Sequence, residues 1–581
     1  MERNGKLVNR KFIHYLIPSI LMIFAMQFSS LLDGIIIGNL ISGEALAATS
    51  LVVPVLYVIQ APGFALGVGG SIVVANKLGK RDIEGAKKAF SISIIIGVAA
   101  SLLFALISFF TSSPLAKLFG EASYEYSYPY IYMYLLTDPI ITISLLLGSF
   151  MAVDNNPKLS SIFFVISNIA KVGLEFIFIK VFNWGMYGAA LSTGAGFVIA
   201  FVAIPFYIKS NKRMLSFTFR VRNTNIFNII KSSSTSGLNL ILTAVQMLIV
   251  NIVLGKLITN PTDLIAFGLI ANVVFVFDLF AGGILNVIPS LVGIFYGEKD
   301  YYSLRVVTRR IYWINFIVTL AITGLIAALP NVYCFIFGYT EQADMGYISM
   351  LIRVYLISCL PMEISKFSMN YYPSIDKNLP SLITVILREA VIVLPLTLIL
   401  LFTNGVLGYS LAYAITEAAT VVITYIFVLI YNKRKKTYSI FMFERGESES
   451  FDVSLDNEIN NAALISEQLT NFARSHGVRE RESQIVGLAA EEVVNNIITY
   501  GYKKNHKNYI DVSLKLINDT LLLRIRDDGL PFDPTKYEFD NDENYSTSGI
   551  QLISKLTDKM SYMRVLSLNN TIFEINTRRN D

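Results

Sequence analysis

At 581 residues, 54% hydrophobic and only 16% charged, the chain is too apolar for a soluble protein of its length. Its mean hydropathy of +0.54 assigns most of it to a bilayer. The net charge of +5 comes from lysines and arginines in short loops beside apolar runs, so it gives no reason to expect a nucleic-acid partner. Two cysteines, Cys334 and Cys359, form neither a disulfide framework nor a metal-ligand spacing and read as packing residues.

The first apolar run, Phe12 to Leu40, is long enough for a tilted helix crossing roughly 30 Å of hydrocarbon. Pro18 interrupts it, and Asp33 lies deep in its second half. A carboxyl inside a span faces a protein interior or a water-filled cavity and handles protons, ions or substrate. The plainer reading has Asp33 cap a turn before Gly34. The run is too long for a signal-peptide core and lacks a small-residue cleavage site, so no cleavable signal is expected.

Apolar runs then recur about every 35 residues, giving about 12 spans centred from Ala25 to Val422. Basic residues gather in alternate loops: Arg3 to Lys11, Lys77 to Lys88, Lys209 to Arg222, Arg305 to Arg310 and Lys433 to Lys436. The positive-inside rule then assigns both termini to the cytoplasm of a multi-pass protein of the cell membrane. The chain also echoes itself. Gly79 and Asp82 recur as Gly297 and Asp300, and NWGMYGAAL (Asn183–Leu191) recurs as TNGVLGYSL (Thr403–Leu411), at an offset of about 218 residues. That offset sets Asp33 against Asn251. Two six-span halves of one topology form the layout in which a substrate site lies between rocking bundles.

Pro18, the LLDGIIIGNL end of the first run, ALAATSLVVP (Ala45–Pro54), the LGKRD loop and GMYGAALST (Gly185–Thr193) together resemble the multidrug and toxic compound extrusion (MATE) family. The resemblance covers about 430 residues. It implies 12 transmembrane helices in two six-helix lobes, an N-lobe over 1–225 and a C-lobe over 226–432. It implies a secondary antiporter that exports bulky, often cationic, xenobiotic compounds against proton or sodium entry. Asp33 stands where the family carries its first-span aspartate, and Glu175 where many members carry a fifth-span aspartate. Lys171 replaces a usually neutral polar residue, and an i,i+4 pair with Glu175 would neutralise both. Gln246 stands where some members place a seventh-span acid. Arg388–Glu389 reads equally as a cavity-lining pair or as an interfacial one.

After a basic linker (433–449) the composition becomes that of a soluble α/β sandwich over 450–581. SFDVSLD alternates like a strand, and Asp456–Gly477 reads as an amphipathic helix with an Asp/Asn cap. A second helix runs from about Glu480 to Tyr500. Strands follow near Tyr509–Leu516 and Leu521–Arg526, joined by an Asn518–Asp519 turn. A short helix starts at Gly549, and strands near Met560–Ser567 and Thr571–Asn576 close the domain. Glu492 and Asn496 share a helix face, a carboxylate that orients water beside an amide oxygen that ligates magnesium. Asp527 ends a strand where it can accept from an adenine amine, Gly529 permits close approach, and free amides near Gly549 suit phosphate.

In this order, EVVNNIITYGY (Glu492–Tyr502), RIRDDGLPFDP (Arg524–Pro534) and STSGIQLISKLTDKMSYM (Ser546–Met563) resemble the GHKL ATP-binding fold, specifically anti-sigma-factor serine kinases. The resemblance implies ATP and Mg2+, with Glu492 as base, Asn496 as magnesium ligand, and Asp527, Gly529 and Gly549 holding nucleotide. It also implies an anti-anti-sigma-like regulatory protein as partner. Tyr500 replaces the usual histidine, and Thr547 and Gln551 replace usual glycines. The combination reads as an efflux antiporter with an ATP-binding regulatory tail. A membrane-bound signalling kinase and a lipid-linked glycan flippase are the alternatives. No Walker-type loop is present in the sequence, which argues against ATP-driven pumping.

Overall fold

A computed structural model describes residues 3–222, 225–257, 260–337, 339, 344–434, 437–444, 450–502, 507–517, 519–536 and 545–577. Of the residues singled out above, Lys435, Lys436 and Asn518 lie outside the described set, as do the side chains of Ser546 and Thr547.

Long apolar runs, which can satisfy their backbone in lipid only as helices, build the first three quarters of the chain. In order they are α1 (Lys6–Leu40), α2 (Gly43–Gly79), α3 (Ile83–Lys117), α4 (Glu121–Val153), α5 (Pro157–Phe176), α6 (Gly185–Ala200), α7 (Ile204–Ile208) and α8 (Ile226–Leu257). There follow α9 (Pro261–Leu285), α10 (Ile288–Gly297), α11 (Tyr301–Ala328), α12 (Pro330–Ile336), α13 (Met345–Leu356), α14 (Cys359–Ser374), α15 (Asn378–Ile386) and α16 (Val393–Arg434). Eleven stretches among the described residues are long and apolar enough to span a bilayer. The last, Asn378–Arg434, has 57 residues and holds both the eleventh and the twelfth apolar run. Gly405 breaks it with φ +57, a left-handed value that glycine adopts without a Cβ penalty. Because α1 continues past Asp33 to Leu40, that carboxyl does not cap a helix end.

The internal repeat is visible in the turns. Arg81 and Lys299 both adopt left-handed φ, +63 and +54. Around them Asp82 N donates to Lys77 O (2.9 Å) and Asp300 N donates to Phe295 O (3.1 Å), so one turn is built twice. Asn155 (φ +60) and Asp376 (φ +57) form a second matched pair that the sequence reading missed. A π-helical turn, Ile177–Val181, extends α5, and another, Leu387–Val391, joins α15 towards α16. Such turns add a residue to the ladder and often sit at functional positions.

The chain divides into two compact units. The larger, His14–Asp300 with Val307–Phe443, is helical. Small residues bring α2 backbone to backbone against α8 and α10. A Cβ on Gly69 would lie 2.3 Å from Ser233 Cα, and one on Gly79 would lie 2.3 Å from Ile294 O. One on Gly297 would lie 2.4 Å from Asn76 O. Close approach through small residues is how helices associate in lipid, where burying apolar surface gains nothing. Gly69→Val is therefore expected to force α2 and α8 apart at a cost of about 1–3 kcal/mol. A longer spin-label distance between those helices, with a lower unfolding temperature, is the expected readout; an unchanged distance refutes it.

The smaller unit comprises Met1–Ile13, Tyr301–Val306 and Glu444–Asp581. A two-residue ribbon, β1 (Thr437–Tyr438) and β2 (Phe443–Glu444), precedes its sheet. The elements are β3 (Ser450–Asp456), α17 (Asn460–Ser475), α18 (Glu480–Asn496), β4 (Tyr509–Ile517), β5 (Thr520–Asp527), α19 (Tyr545–Leu556), β6 (Lys559–Val565) and β7 (Leu568–Asn576). The strands pair antiparallel in the order β3-β4-β5-β7-β6. Alternate strand residues such as Val512, Leu514, Leu523 and Ile525 meet Ile465, Leu469, Val486 and Val494 of α17 and α18 in one core. Arg3 is buried in this unit, donating to Asp511 (3.2 Å) and Ser303 (2.8 Å), and Arg10 bonds Asp528 at 3.0 Å.

Two expected helix starts need correction. β3 runs to Asp456, so α17 begins at Asn460, and Asn461 donates to the Asp456 carbonyl rather than Asp456 capping the helix. The strand's pairing with β4 outcompetes the local cap. α19 begins at Tyr545, which puts Gly549 inside the helix instead of at its start.

Candidate functional site

The larger unit contains a cavity of about 420 Å³. α1 contributes Met26 and Asp33, α2 Tyr57 and Gln60, α4 Tyr130 and Tyr134, α5 Lys171, and α6 Phe197. Lys171 Nζ donates to Asp33 Oδ2 at 2.5 Å. Asp33 Oδ1 and both oxygens of Glu175 are buried without a hydrogen-bond partner among the described residues. The expected Lys171–Glu175 pair does not form. Helical side chains lean toward the N-terminus, so Lys171 leans away from Glu175, a turn further on, and reaches across to α1 instead. The result is one ammonium and two carboxyls beside a wall of tyrosines. Gln60 donates to the Tyr134 hydroxyl.

Gln246 lies elsewhere, on α8, where its amide donates to the Tyr413 hydroxyl of α16. Near it stands a second charged group. Lys366 bonds Asp278 and, at 2.9 Å, Glu363. Arg388 bonds Glu417 at 2.6 Å and Glu389 at 3.4 Å, and Thr243 donates to Glu389 at 3.0 Å. The side chains of Arg388 and Glu389 are 13% and 6% exposed, packed among the helices.

In the smaller unit a pocket of about 360 Å³ is lined by Asn496, Tyr500, Gly501, Asp527, Leu530, Phe532, Ile550, Asn569 and Thr571, among others. Its floor is the junction of α18, β5 and β7. α18 ends in a π-helical turn, Ile497–Gly501, whose Gly501 carbonyl accepts from Leu530 N at 2.8 Å. A Cβ on Gly529 would lie 2.6 Å from that carbonyl, so only glycine fits. Asn496 Nδ2 donates to Glu492 O (2.8 Å) and Glu492 Oε1 (3.0 Å), which leaves Asn496 Oδ1 as the atom able to ligate a cation. That donor set fits Mg2+, a hard cation that takes oxygen ligands and few protein ones.

Gly549 lies against the Glu492 carboxyl: a Cβ there would come within 2.4 Å of Oε1. Its part is thus close approach to the candidate base. Asp527 is buried and accepts from Gly529 N (2.7 Å) and Asn569 Nδ2 (2.8 Å). Burial pushes its pKa up to about 6, against the pull of those two bonds and of Arg564. Nothing in the sequence pointed to Asn569, because the β5–β7 pairing that sets it opposite Asp527 is long-range.

A bundle of helices long and apolar enough to span a bilayer, with an acid–base pair on a cavity wall, followed in the chain by an α/β sandwich, defines the class. The sequence matches the MatE family over residues 18–177 and 236–427, more than half of the chain, and the chain belongs to that family. It is a multi-pass membrane protein. Residues 455–573 match the histidine kinase-like ATPase domain.

Among curated relatives, the chain is 26% identical over 249 residues to the multidrug export protein MepA of Staphylococcus saprophyticus, 42% of this chain and 55% of that protein. It is 24% identical over 224 residues to MepA of Staphylococcus aureus, 38% of this chain and 49% of that one. The match thus spans about half the length of these relatives. A solved MOP superfamily transporter from Pyrococcus furiosus superposes with TM-score 0.67 at 20% identity, covering 75% of this chain and 100% of that one. A multidrug resistance MATE transporter in an outward-facing conformation gives 0.66 at 20%, covering 75% and 99%. These likenesses show the fold.

Proposed function

We propose that the protein is a secondary active exporter of bulky small molecules, coupled to proton or sodium entry, with both termini cytoplasmic and an ATP-binding regulatory domain. The observation that carries it is the Asp33–Lys171 pair with Glu175 behind it, on the wall of a tyrosine-lined cavity. An acid–base group of this kind costs several kcal/mol to hold within a membrane and is retained for ion or substrate handling. Lys171 neutralises Asp33, so a cationic substrate would have to displace an ammonium to reach it, and neutral or zwitterionic aromatic compounds fit the cavity better.

Efflux from proteoliposomes under an imposed ion gradient tests the reading. Dye export that follows a proton or sodium gradient without ATP supports it, and export that needs ATP but no gradient overturns it. In the regulatory domain, Asn496→Ala is expected to weaken Mg2+-dependent ATP binding about tenfold, the worth of one bond to a charged partner. Calorimetry with and without Mg2+ would show it, and equal loss under both conditions would remove the metal role.

The match of residues 455–573 to the histidine kinase-like ATPase domain supports a second reading of the tail, a serine kinase acting on a small regulatory protein. Phosphate transfer lost in Glu492→Gln, together with no measurable efflux, would favour it over the first.

A further inference from the structure

We propose that Asn569 is the positioning residue that makes the pocket select adenine over guanine nucleotides, by fixing Asp527 so that one carboxylate oxygen faces the base. This inference rests on the pocket being a nucleotide site.

Asn569 and Asp527 are direct partners in the β5–β7 register. Every hydrogen-bonding position of the Asn569 amide is used. Its Nδ2 donates to Asp527 Oδ1 at 2.8 Å and to Leu530 O at 2.9 Å. Its Oδ1 accepts from Tyr562 Oη at 2.7 Å and from Arg564 Nη1 at 2.5 Å. The donor-only guanidinium of Arg564 at one end and the two acceptors Asp527 Oδ1 and Leu530 O at the other leave the amide a single orientation, to which the Tyr562 hydroxyl adapts. Arg564 Nη1 also donates to Gly529 O at 3.1 Å, and Gly529 N donates to Asp527 Oδ1 at 2.7 Å.

Oδ1 of Asp527 thus receives two hydrogen bonds, and Oδ2 is the oxygen left for a ligand, on a residue that lines the pocket. A carboxylate oxygen held there accepts from an exocyclic amine. It repels a carbonyl, which is what guanine presents at the equivalent position. A site built to hydrogen-bond one group rejects the analogue that lacks it far better than an apolar pocket does. Loosening the amide would let Asp527 turn, sharing both oxygens between Gly529 and the pocket and blurring the distinction.

The charged and titratable groups around Asp527 are Asp528, Arg564, Lys11, Tyr502 and Tyr562. Asn569 is the neutral donor among them. Its removal leaves the buried anion with one hydrogen bond fewer, so the acid limb of nucleotide binding should move to higher pH.

The test is a titration of the full-length protein in detergent with fluorescent ATP and fluorescent GTP, each across pH 5 to 8. The unaltered chain is expected to prefer ATP. In Asn569→Ala, ATP affinity should fall about tenfold with little change for GTP, and the acid limb should shift upward. Tyr562→Phe, which removes one donor to the Asn569 oxygen and disturbs less, should shift the same ratio in the same direction by a smaller factor. It decides the matter should Asn569→Ala fail to fold. Equal weakening of both nucleotides, or an unchanged ratio and acid limb, overturns the inference alone. An unaltered chain that binds neither nucleotide overturns the nucleotide site as well.

Discussion

Asp33→Asn is expected to abolish gradient-driven efflux while the protein still inserts and folds. The substitution keeps the shape and removes the charge that holds Lys171 at 2.5 Å. An ammonium left without its partner in a protein interior costs about 3 kcal/mol, so a lower unfolding temperature should accompany the loss. Stability alone is therefore not the discriminating measurement. The double variant Asp33→Asn with Lys171→Asn removes both charges and should recover most of the thermal stability. Efflux should stay absent, because neither residue can then exchange a proton or ion. Efflux that returns with stability would assign the pair to packing. Normal efflux in the single variant would remove Asp33 from coupling altogether.

The second large effect is expected at Asp527. Asp527→Ala should weaken ATP binding between tenfold and a hundredfold, the worth of a hydrogen bond to a charged group. Glu492→Gln should leave binding nearly unchanged, since that carboxyl lies against α19 and does not line the pocket's base-facing end. The contrast separates a base-reading acid from a catalytic one. The pH dependence has a definite sign. Burial raises Asp527 to about 6, and the ionised carboxylate accepts from an amine more strongly than the protonated acid does. ATP affinity should hold from pH 8 down to about 7 and decline as pH falls through 6. Affinity flat down to pH 5 would mean that Asp527 does not contact the base.

What could be read from the chain alone follows from which interactions are local. The span count and the repeat were legible because apolar run length and turn chemistry are local properties. Gly79 with Asp82 and Gly297 with Asp300 mark turns that do share one geometry. The order of the three tail patches was legible for the same reason. The partner of Lys171 was not, since i,i+4 spacing suggested Glu175 while the side chain's lean carries it to another helix. Tyr57, Gln60, Tyr130 and Tyr134 came together through helix packing, to which sequence spacing is blind. α17 and α19 were misplaced by a turn because strand pairing at Asp456 overrode a local capping preference, and because Gly549 serves a neighbour instead of a terminus.

The seam between α2 and its neighbours α8 and α10 has a consequence for motion. At Gly79 and Gly297 the surfaces that meet are main chain, and at Gly69 the neighbour is the backbone and short hydroxymethyl of Ser233. The ion pairs at Lys171, Lys366 and Arg388 each join helices on one side of that seam, so parting it would leave those three pairs intact. In any motion along that seam the three electrostatic clusters would ride along unbroken, like cargo lashed to two separate decks.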